Sequence, residues 1–230
     1  MSGAIVTGAA RGIGRAVAER LLADGPVVLA DLDPTVLDVA AELGGTGVVA
    51  DVTSAEGRAA ILDAVDGEIS VLVNNAGITK DARIVKMTEE QFLAVIRVNL
   101  GAAYELTTAA IGRFADGASV VSLASRAYLG NFGQFNYSAS KGGLVGMTRA
   151  LALQLAPRVR INAIAPSLTA SEMTSAMPEK VLDKMIASIP LGRMAETAEI
   201  AETIATLASP AMAYVTGQVV VACGGRSLAP

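Results

Sequence analysis

Histidine is absent from this 230-residue chain. That removes Ser–His–Asp catalysis, His-ligated zinc and histidine general bases. The single cysteine, Cys223, can form neither an internal disulfide nor a thiolate cluster, so a reducing compartment and no metal are expected. Tryptophan is missing and aromatics make up 3%, against 52% hydrophobic residues, so the core must be Ala, Val, Ile and Leu. Charge is sparse and balanced, 18 basic against 22 acidic residues with net −4 and no basic block. A nucleic-acid partner is not expected. Met1 leads directly into Gly3-Ala-Ile-Val-Thr7, with no basic leader and no long apolar stretch. The longest uncharged run, Thr203 to Gly225, is interrupted by Pro210, Gly217 and Gly224. It reads as a helix end, a loop and a strand, so no membrane association and a cytoplasmic location are expected.

What is present alternates. Short apolar runs suggest strands at Ala4–Thr7, Val27–Ala30, Gly47–Ala50, Val71–Asn74, Ser119–Ser125, Arg160–Ile164 and Gln218–Ala222. Between them apolar residues recur three and four apart, as in Phe92, Val95, Ile96, Asn99 and Leu100. Near-continuous apolar strands separated by helices imply a parallel sheet covered on both faces, and right-handed crossovers make it doubly wound. No linker or repeat divides the chain, so residues 1–230 read as one domain. Two long helices, Glu89–Phe114 and Phe135–Leu155, carry small and apolar residues on more than one face. Examples are Ala102, Ala103, Leu106, Ala109 and Ala110, then Leu144, Met147, Ala150 and Leu151. Such helices need more than one burying partner. The long stretch from Pro166 to Pro190 reads as a lid within the domain, or alternatively as an ordinary pair of surface helices.

The first strand runs into Thr7-Gly8-Ala9-Ala10-Arg11-Gly12-Ile13-Gly14 and then a helix. Glycines 8, 12 and 14 permit a tight turn, and the following helix N-terminus offers free N–H groups to a pyrophosphate. A glycine cluster alone also fits a purely structural turn; its place between first strand and first helix favours the dinucleotide reading. No Gly-Lys-Ser/Thr follows, which argues against a triphosphatase. Asp31, closing the second strand, can accept from both ribose hydroxyls of an adenosine and would repel a 2′-phosphate; a solvated loop acid is the plainer alternative. Asp51-Val52, after the third strand, is placed to touch the adenine ring; a helix cap ahead of Ser54 is the alternative.

Ser125 follows the fifth strand, and Tyr137-Ser-Ala-Ser-Lys141 opens a long helix. Tyr and Lys four apart share a helix face, and a nearby ammonium favours phenolate. A phenol so tuned is a general acid–base. A Tyr-x-x-x-Lys pair by itself is ordinary surface; here it accompanies a nucleotide turn, an acid on strand two and a serine after strand five.

Together these residues resemble the short-chain dehydrogenase/reductase family from end to end. Thr7-Gly8-x-x-x-Gly12-x-Gly14 matches its cofactor turn, and Asn74-Asn75-Ala76-Gly77 its signature after strand four. The resemblance implies a Rossmann fold with seven parallel strands in the order 3-2-1-4-5-6-7. It implies Asn99 supporting a proton relay, Ser125 polarising the carbonyl, Tyr137 as acid/base, and Lys141 lowering the Tyr137 pKa and holding the nicotinamide ribose. Gly8, Arg11, Gly12, Ile13, Gly14, Asn75, Ala76, Gly77, Pro166, Thr169 and Ser171 then line the cofactor, with Tyr137 and Lys141. Two departures bear on this. Ser167 stands where the family usually has Gly after Pro166, and Ser125 lies twelve residues before Tyr137, one fewer than usual. Ser122 is the rival serine, but it falls inside the strand.

Within the family the spelling is most similar to bacterial 3-oxoacyl reductases, as in Gly133-Gln-Phe-Asn-Tyr137 and Ile189-Pro-Leu-Gly-Arg193. An acid in the loop Phe114-Ala-Asp-Gly117 disfavours an acidic carrier protein, so a coenzyme A thioester, or a free ketone or secondary alcohol, is favoured as substrate. Asp31 resembles the acid of NAD-preferring members and Arg11 the base of NADP-preferring ones; NAD is expected and NADP is the alternative. A homotetramer is expected. An NADPH-dependent 3-oxoacyl-carrier-protein reductase and, in another class, a non-catalytic NAD-binding regulator stand as alternatives. The regulator would be expected to have lost Tyr137 or Lys141, and an epimerase or dehydratase to have lost part of the complete set.

Overall fold

A computed structural model describes residues 2–170, 174 and 178–228. Seven parallel strands form one sheet, β1 (Ser2–Thr7), β2 (Val27–Asp31), β3 (Thr46–Val49), β4 (Glu68–Asn74), β5 (Phe114–Leu123), β6 (Val159–Ile164) and β7 (Val219–Val220), in the order β3-β2-β1-β4-β5-β6-β7. The reversal of direction at β1 and β4 opens a crevice at the carboxyl ends of the strands, where such sheets take ligands.

The two-residue alternation of the strands builds both faces. Ala4, Val6, Val27 and Leu29 point to one core, with α1 (Gly12–Leu22) and α8 (Thr197–Ala208) packed on it. Ile5, Val28 and Ala30 point to the other, with α3 (Ala55–Asp63), α5 (Ala102–Ala110) and α6 (Phe135–Leu155). Local signals set the helix ends. Ser54 caps α3 by accepting from the Gly57 N–H at 2.9 Å, and Thr88 and Gln91 form a reciprocal capping box on α4 (Glu89–Ile96). α2 (Val36–Leu43) stops at Gly44, whose φ is +82°. Arg160 reaches from β6 to the carbonyls of Leu207, Ala208, Ser209 and Val215, satisfying the frayed end of α8.

The expected helix Glu89–Phe114 is corrected in two places. One turn of π-helix, Arg97–Gly101, separates α4 from α5 and turns Asn99 inward to full burial. Phe114 leaves the helix altogether. It opens β5 opposite Ile69, residues 115–118 bulge with Gly117 at φ +83°, and regular pairing resumes at Ser119 opposite Val71. The expected loop Phe114–Gly117 is therefore the start of a strand, fixed by the buried Phe114 ring. At its other end β5 stops at Leu123, two residues short of Ser125. β7 has two regular residues, but its ladder continues on both sides, from Ala163 N–H to Gln218 O and from Ala222 N–H to Ala165 O. The stretch Pro166–Pro190 contains a helix, α7 (Glu179–Ala187). Its residues 171–173 and 175–177, Ser171 included, lie outside the described residues. Among the described residues no helix is long and apolar enough to cross a membrane, and no cluster of metal-ligating side chains occurs.

Candidate active site

A cavity of about 870 Å³ runs along the carboxyl ends of the strands, in the size range of cofactor and ligand pockets. At one end lies the turn after β1. Gly8 takes φ +67°, and a Cβ there would come within 2.8 Å of Asn75 Nδ2. A Cβ on Gly14 would come within 2.0 Å of the Gly8 carbonyl, so only glycine lets the helix meet the strand this closely. Asn75 locks the turn from β4, its amide donating to Thr7 O at 2.8 Å and Gly8 O at 2.9 Å. The Thr7 hydroxyl accepts from the Asn75 and Ala76 N–H groups, both at 3.1 Å. Arg11, the residue before α1, gives the helix no side-chain cap. Its first N–H groups, on the cavity-lining residues Gly12, Ile13 and Gly14, are thus left for an anion. The built cradle and uncapped helix fit the pyrophosphate of a dinucleotide.

The adenosine end holds two acids. Asp31 accepts the Ala10 N–H on Oδ2 and the Asp33 N–H on Oδ1, both at 3.0 Å, which pins its carboxylate at the cavity wall. Asp33, missed from the sequence, pairs with Arg11 at 3.0 Å. Its carboxyl is held below its usual range, first by the Thr35 backbone N–H and hydroxyl and then by Arg11. Its position two residues beyond Asp31 was the only available signal. Asp51 and Val52 line the same end, and Asp51 Oδ1 accepts from the Thr53 N–H and hydroxyl at 2.8 and 2.7 Å.

At the far end stand Ser125 and Tyr137. Ser125 caps a single 3₁₀ turn, accepting the Ala127 N–H at 3.2 Å, and its own O–H remains to donate. Burial pushes the Tyr137 phenol above its ordinary value; the hydrogen bond with Ser125 opposes this, and the Asp81 charge adds to it. The expected depression by Lys141 is not seen in this arrangement. The Lys141 ammonium sits 5.5 Å from the Tyr137 ring centroid and donates to Leu123 O at 2.5 Å. Burial alone brings Lys141 down to about 8. Lys141 and Asn99 lie behind the wall, where a Cβ on Gly77 would stand 3.2 Å from Asn99 Oδ1 and 3.6 Å from Lys141 Nζ. Ala76, Gly77, Pro166 and Thr169 complete the lining from β4 and β6.

Buried amides hold this end together. Asn99 grips Ile78 at both N–H (2.8 Å) and carbonyl (3.0 Å), and donates to Ser140 Oγ at 3.1 Å. Ser140 donates to the Tyr137 carbonyl at 2.8 Å. Asn136 accepts the Tyr137 N–H at 2.8 Å and donates to Lys80 O at 2.9 Å. The circuit thus closes through the Tyr137 backbone. Asn136 is fully buried and was overlooked, because nothing in its sequence position distinguishes it from a surface residue before Tyr137.

A family model described as enoyl-(acyl carrier protein) reductase matches residues 8–227. A Brucella melitensis structure titled short-chain dehydrogenase/reductase, glucose/ribitol dehydrogenase, superposes with a TM-score of 0.92 at 36% identity. It covers 98% of this chain and 96% of its own. The chain belongs to the short-chain dehydrogenase/reductase family. Among similar members are an uncharacterized oxidoreductase of Mycobacterium bovis, 44% identical over 97% of this chain and 96% of that one. The 3-oxoacyl-[acyl-carrier-protein] reductase of Pseudomonas aeruginosa is 39% identical over 96% of each. This short-chain dehydrogenase/reductase is an oxidoreductase of CH–OH groups that works with a nicotinamide cofactor.

Ser167 bears on the family's Pro-Gly corner. Among the described residues no residue other than glycine has a positive φ, so Ser167 sits in ordinary backbone and the missing glycine leaves no strain.

Proposed function

We propose that the protein transfers hydride between NAD(H) and a secondary alcohol or ketone, including a 3-hydroxyacyl or 3-oxoacyl thioester. The observation that carries this reading is one cavity with a dinucleotide cradle at one end and the Ser125–Tyr137 pair at the other. When bound, the nicotinamide supplies or accepts the hydride. In reduction Tyr137 Oη donates its proton to the substrate oxygen while Ser125 Oγ–H donates a hydrogen bond to the same oxygen. The raised phenol pKa keeps that proton in place until it is needed. In oxidation the deprotonated Tyr137 Oη takes the proton back from the substrate hydroxyl. In the resting site burial outweighs Lys141 and keeps the phenol protonated; once the proton leaves, the Lys141 charge, present below about pH 8, steadies the phenolate, and Asn99 holds the wall behind it.

NAD is preferred in this reading because Asp31 and Asp33 both stand where a 2′-phosphate would approach, and Arg11 is already paired. A coenzyme A thioester or free ketone is preferred to a carrier-protein substrate. Arg158, the basic residue at that edge, pairs with Asp116 at 3.3 Å and so offers less charge to an acidic carrier. The chain acts as one domain, and of the stretch after β6 the described residues Pro166, Leu168, Thr169 and Thr174 line the cavity. It assembles as a cytoplasmic homotetramer through the outer faces of α4, α5 and α6, where Leu93, Tyr104 and Leu153 are exposed. The test is a panel of secondary alcohols and ketones with NADH and NADPH, following absorbance of the reduced nicotinamide. Turnover with NADH supports the reading; no turnover with either cofactor across the panel overturns it.

A further inference from the structure

The carboxyl ends of β5, β6 and β7 bring together residues outside the proposed reaction set. Arg126 follows β5, Ser167 follows β6, and Arg226 follows β7. Backbone hydrogen bonds hold the three segments side by side. The Arg126 N–H donates to Pro166 O at 2.8 Å and the Ser167 N–H to Ala222 O at 3.1 Å; within the third segment Arg226 turns back on Cys223, its N–H donating to Cys223 O at 3.1 Å.

Among the described residues neither Arg126 nor Arg226 has a carboxylate partner. Among the described residues the buried Arg126 Nε has no hydrogen-bond acceptor and the buried Ser167 hydroxyl has no partner, although Ser167 lines the cavity. Unmatched donors in a partly buried site are unfavourable until something accepts from them. Burial first, then the charge of Arg126, lowers the Arg226 guanidinium, as expected of two cations sharing one space. Cys223 lies on the same edge. Burial raises its thiol, but the hydrogen bonds from Ser227 and Gly225 and the Arg126 charge bring it below its ordinary value.

We propose that Arg126, Arg226 and Ser167 form an anion subsite at the substrate end, taking a carboxylate or phosphate group of the substrate. The inference rests on the reaction proposed above and adds a substrate class: an anionic secondary alcohol or ketone is preferred to a neutral one. Two guanidinium forks and a hydroxyl suit the several lone pairs of such an anion. The position agrees as well. The dinucleotide cradle occupies the β1, β2 and β4 side, and Ser167 lines the same cavity as Ser125 and Tyr137.

The experiment compares matched compounds in the full-length enzyme with NAD as oxidant. The arms are 3-hydroxybutyrate against its methyl ester, and 3-hydroxybutyryl-coenzyme A against the phosphate-free N-acetylcysteamine thioester. The expected result is a kcat/KM about ten- to a hundredfold higher for the anionic member of one pair. Preference within the first pair names a carboxylate; preference within the second names the coenzyme phosphates. Arg226→Gln and Arg126→Gln should each reduce that ratio to within about threefold, and Ser167→Ala should reduce it partway. A readout independent of turnover is thermal shift with 3-hydroxybutyrate or inorganic phosphate, expected in the unmodified protein and lost in Arg226→Gln. Equal kcat/KM within both pairs, or a preference that survives both arginine substitutions, overturns the subsite. Absence of turnover for every compound with either nicotinamide would instead overturn the reaction, and the thermal shift would still report on the subsite.

Discussion

In the proposed reading cofactor choice turns on three side chains, Asp31 and Asp33 at the end of β2 and Arg11 in the turn after β1, and replacing Asp31 by Ser probes them. Asp31 is pinned by two backbone N–H groups at 3.0 Å, so its charge cannot swing away from an incoming 2′-phosphate. Two like unit charges about 4 Å apart repel by roughly 4 kcal/mol at an effective dielectric of 20. Solvent reduces this, since the neighbouring Asp33 and Arg11 side chains are 31% and 65% exposed. A tenfold preference for NADH, about 1.4 kcal/mol, is the expected floor. In Asp31→Ser the phosphate gains room, but Arg11 must leave Asp33 to meet it. An exposed ion pair is worth about 0–1 kcal/mol, so Arg11 is released at small cost. The single substitution should therefore narrow the preference by about tenfold, and Asp31→Ser with Asp33→Asn should reverse it. The assay is kcat/KM for NADH and NADPH on one ketone. Equal values, or a preference for NADPH, in the unmodified enzyme would refute the reasoning by showing that Arg11 outweighs both acids.

Other expectations concern the catalytic end and the assembly. Asn136→Ala opens the circuit around Tyr137 and should lower kcat about 10- to 100-fold with KM for NADH within about twofold; Asn162→Ala, which removes an equally buried amide bonded to Val215 O and Gln218 N–H, should lower Tm without that kcat loss. Lys141 is held at about 8, so kcat for reduction should fall as pH rises through about 8 and its proton is lost. Its folded pKa is depressed, so the penalty of burying its charge is present below about pH 8 and is relieved toward 10.5; stability to urea should rise over that window, and Lys141→Met should lack the rise. Light scattering at micromolar concentration should report four chains, and Leu153→Asp, which places a charge on an 85% exposed apolar position of α6, should give a smaller species; a monomer in the unmodified protein would contradict the proposed assembly.

The sheet was legible because its strands are short apolar runs bounded by Gly, Asp and Asn, and because their alternation feeds two separate cores. The elements misjudged were set by partners far along the chain. Phe114 looked like a helix end until its ring was needed opposite Ile69, and the helix around Asn99 looked continuous because a π turn leaves the apolar spacing almost unchanged. Gly8, Gly12, Gly14, Asp31, Ser125 and Tyr137 line one cavity. Asp33 and Asn136 did not stand out, since each acts through a bond that only the folded chain creates, to Arg11 and to Lys80. The state of Tyr137 depends on burial as well as on its neighbours. A lysine four residues on shares its helix face, but the Lys141 ammonium donates to the Leu123 carbonyl, and burial dominates the phenol.

The central claim is that Tyr137 Oη moves the proton while hydride passes between nicotinamide and substrate, and Tyr137→Phe tests it most directly. The substitution removes one hydroxyl and leaves the ring over Lys141. With a ketone that the unmodified enzyme reduces, and under conditions where chemistry limits, kcat should fall by about 10²–10⁴-fold while NADH binding by fluorescence stays within about twofold. A variant that binds NADH and keeps more than about a tenth of the original kcat would contradict the account.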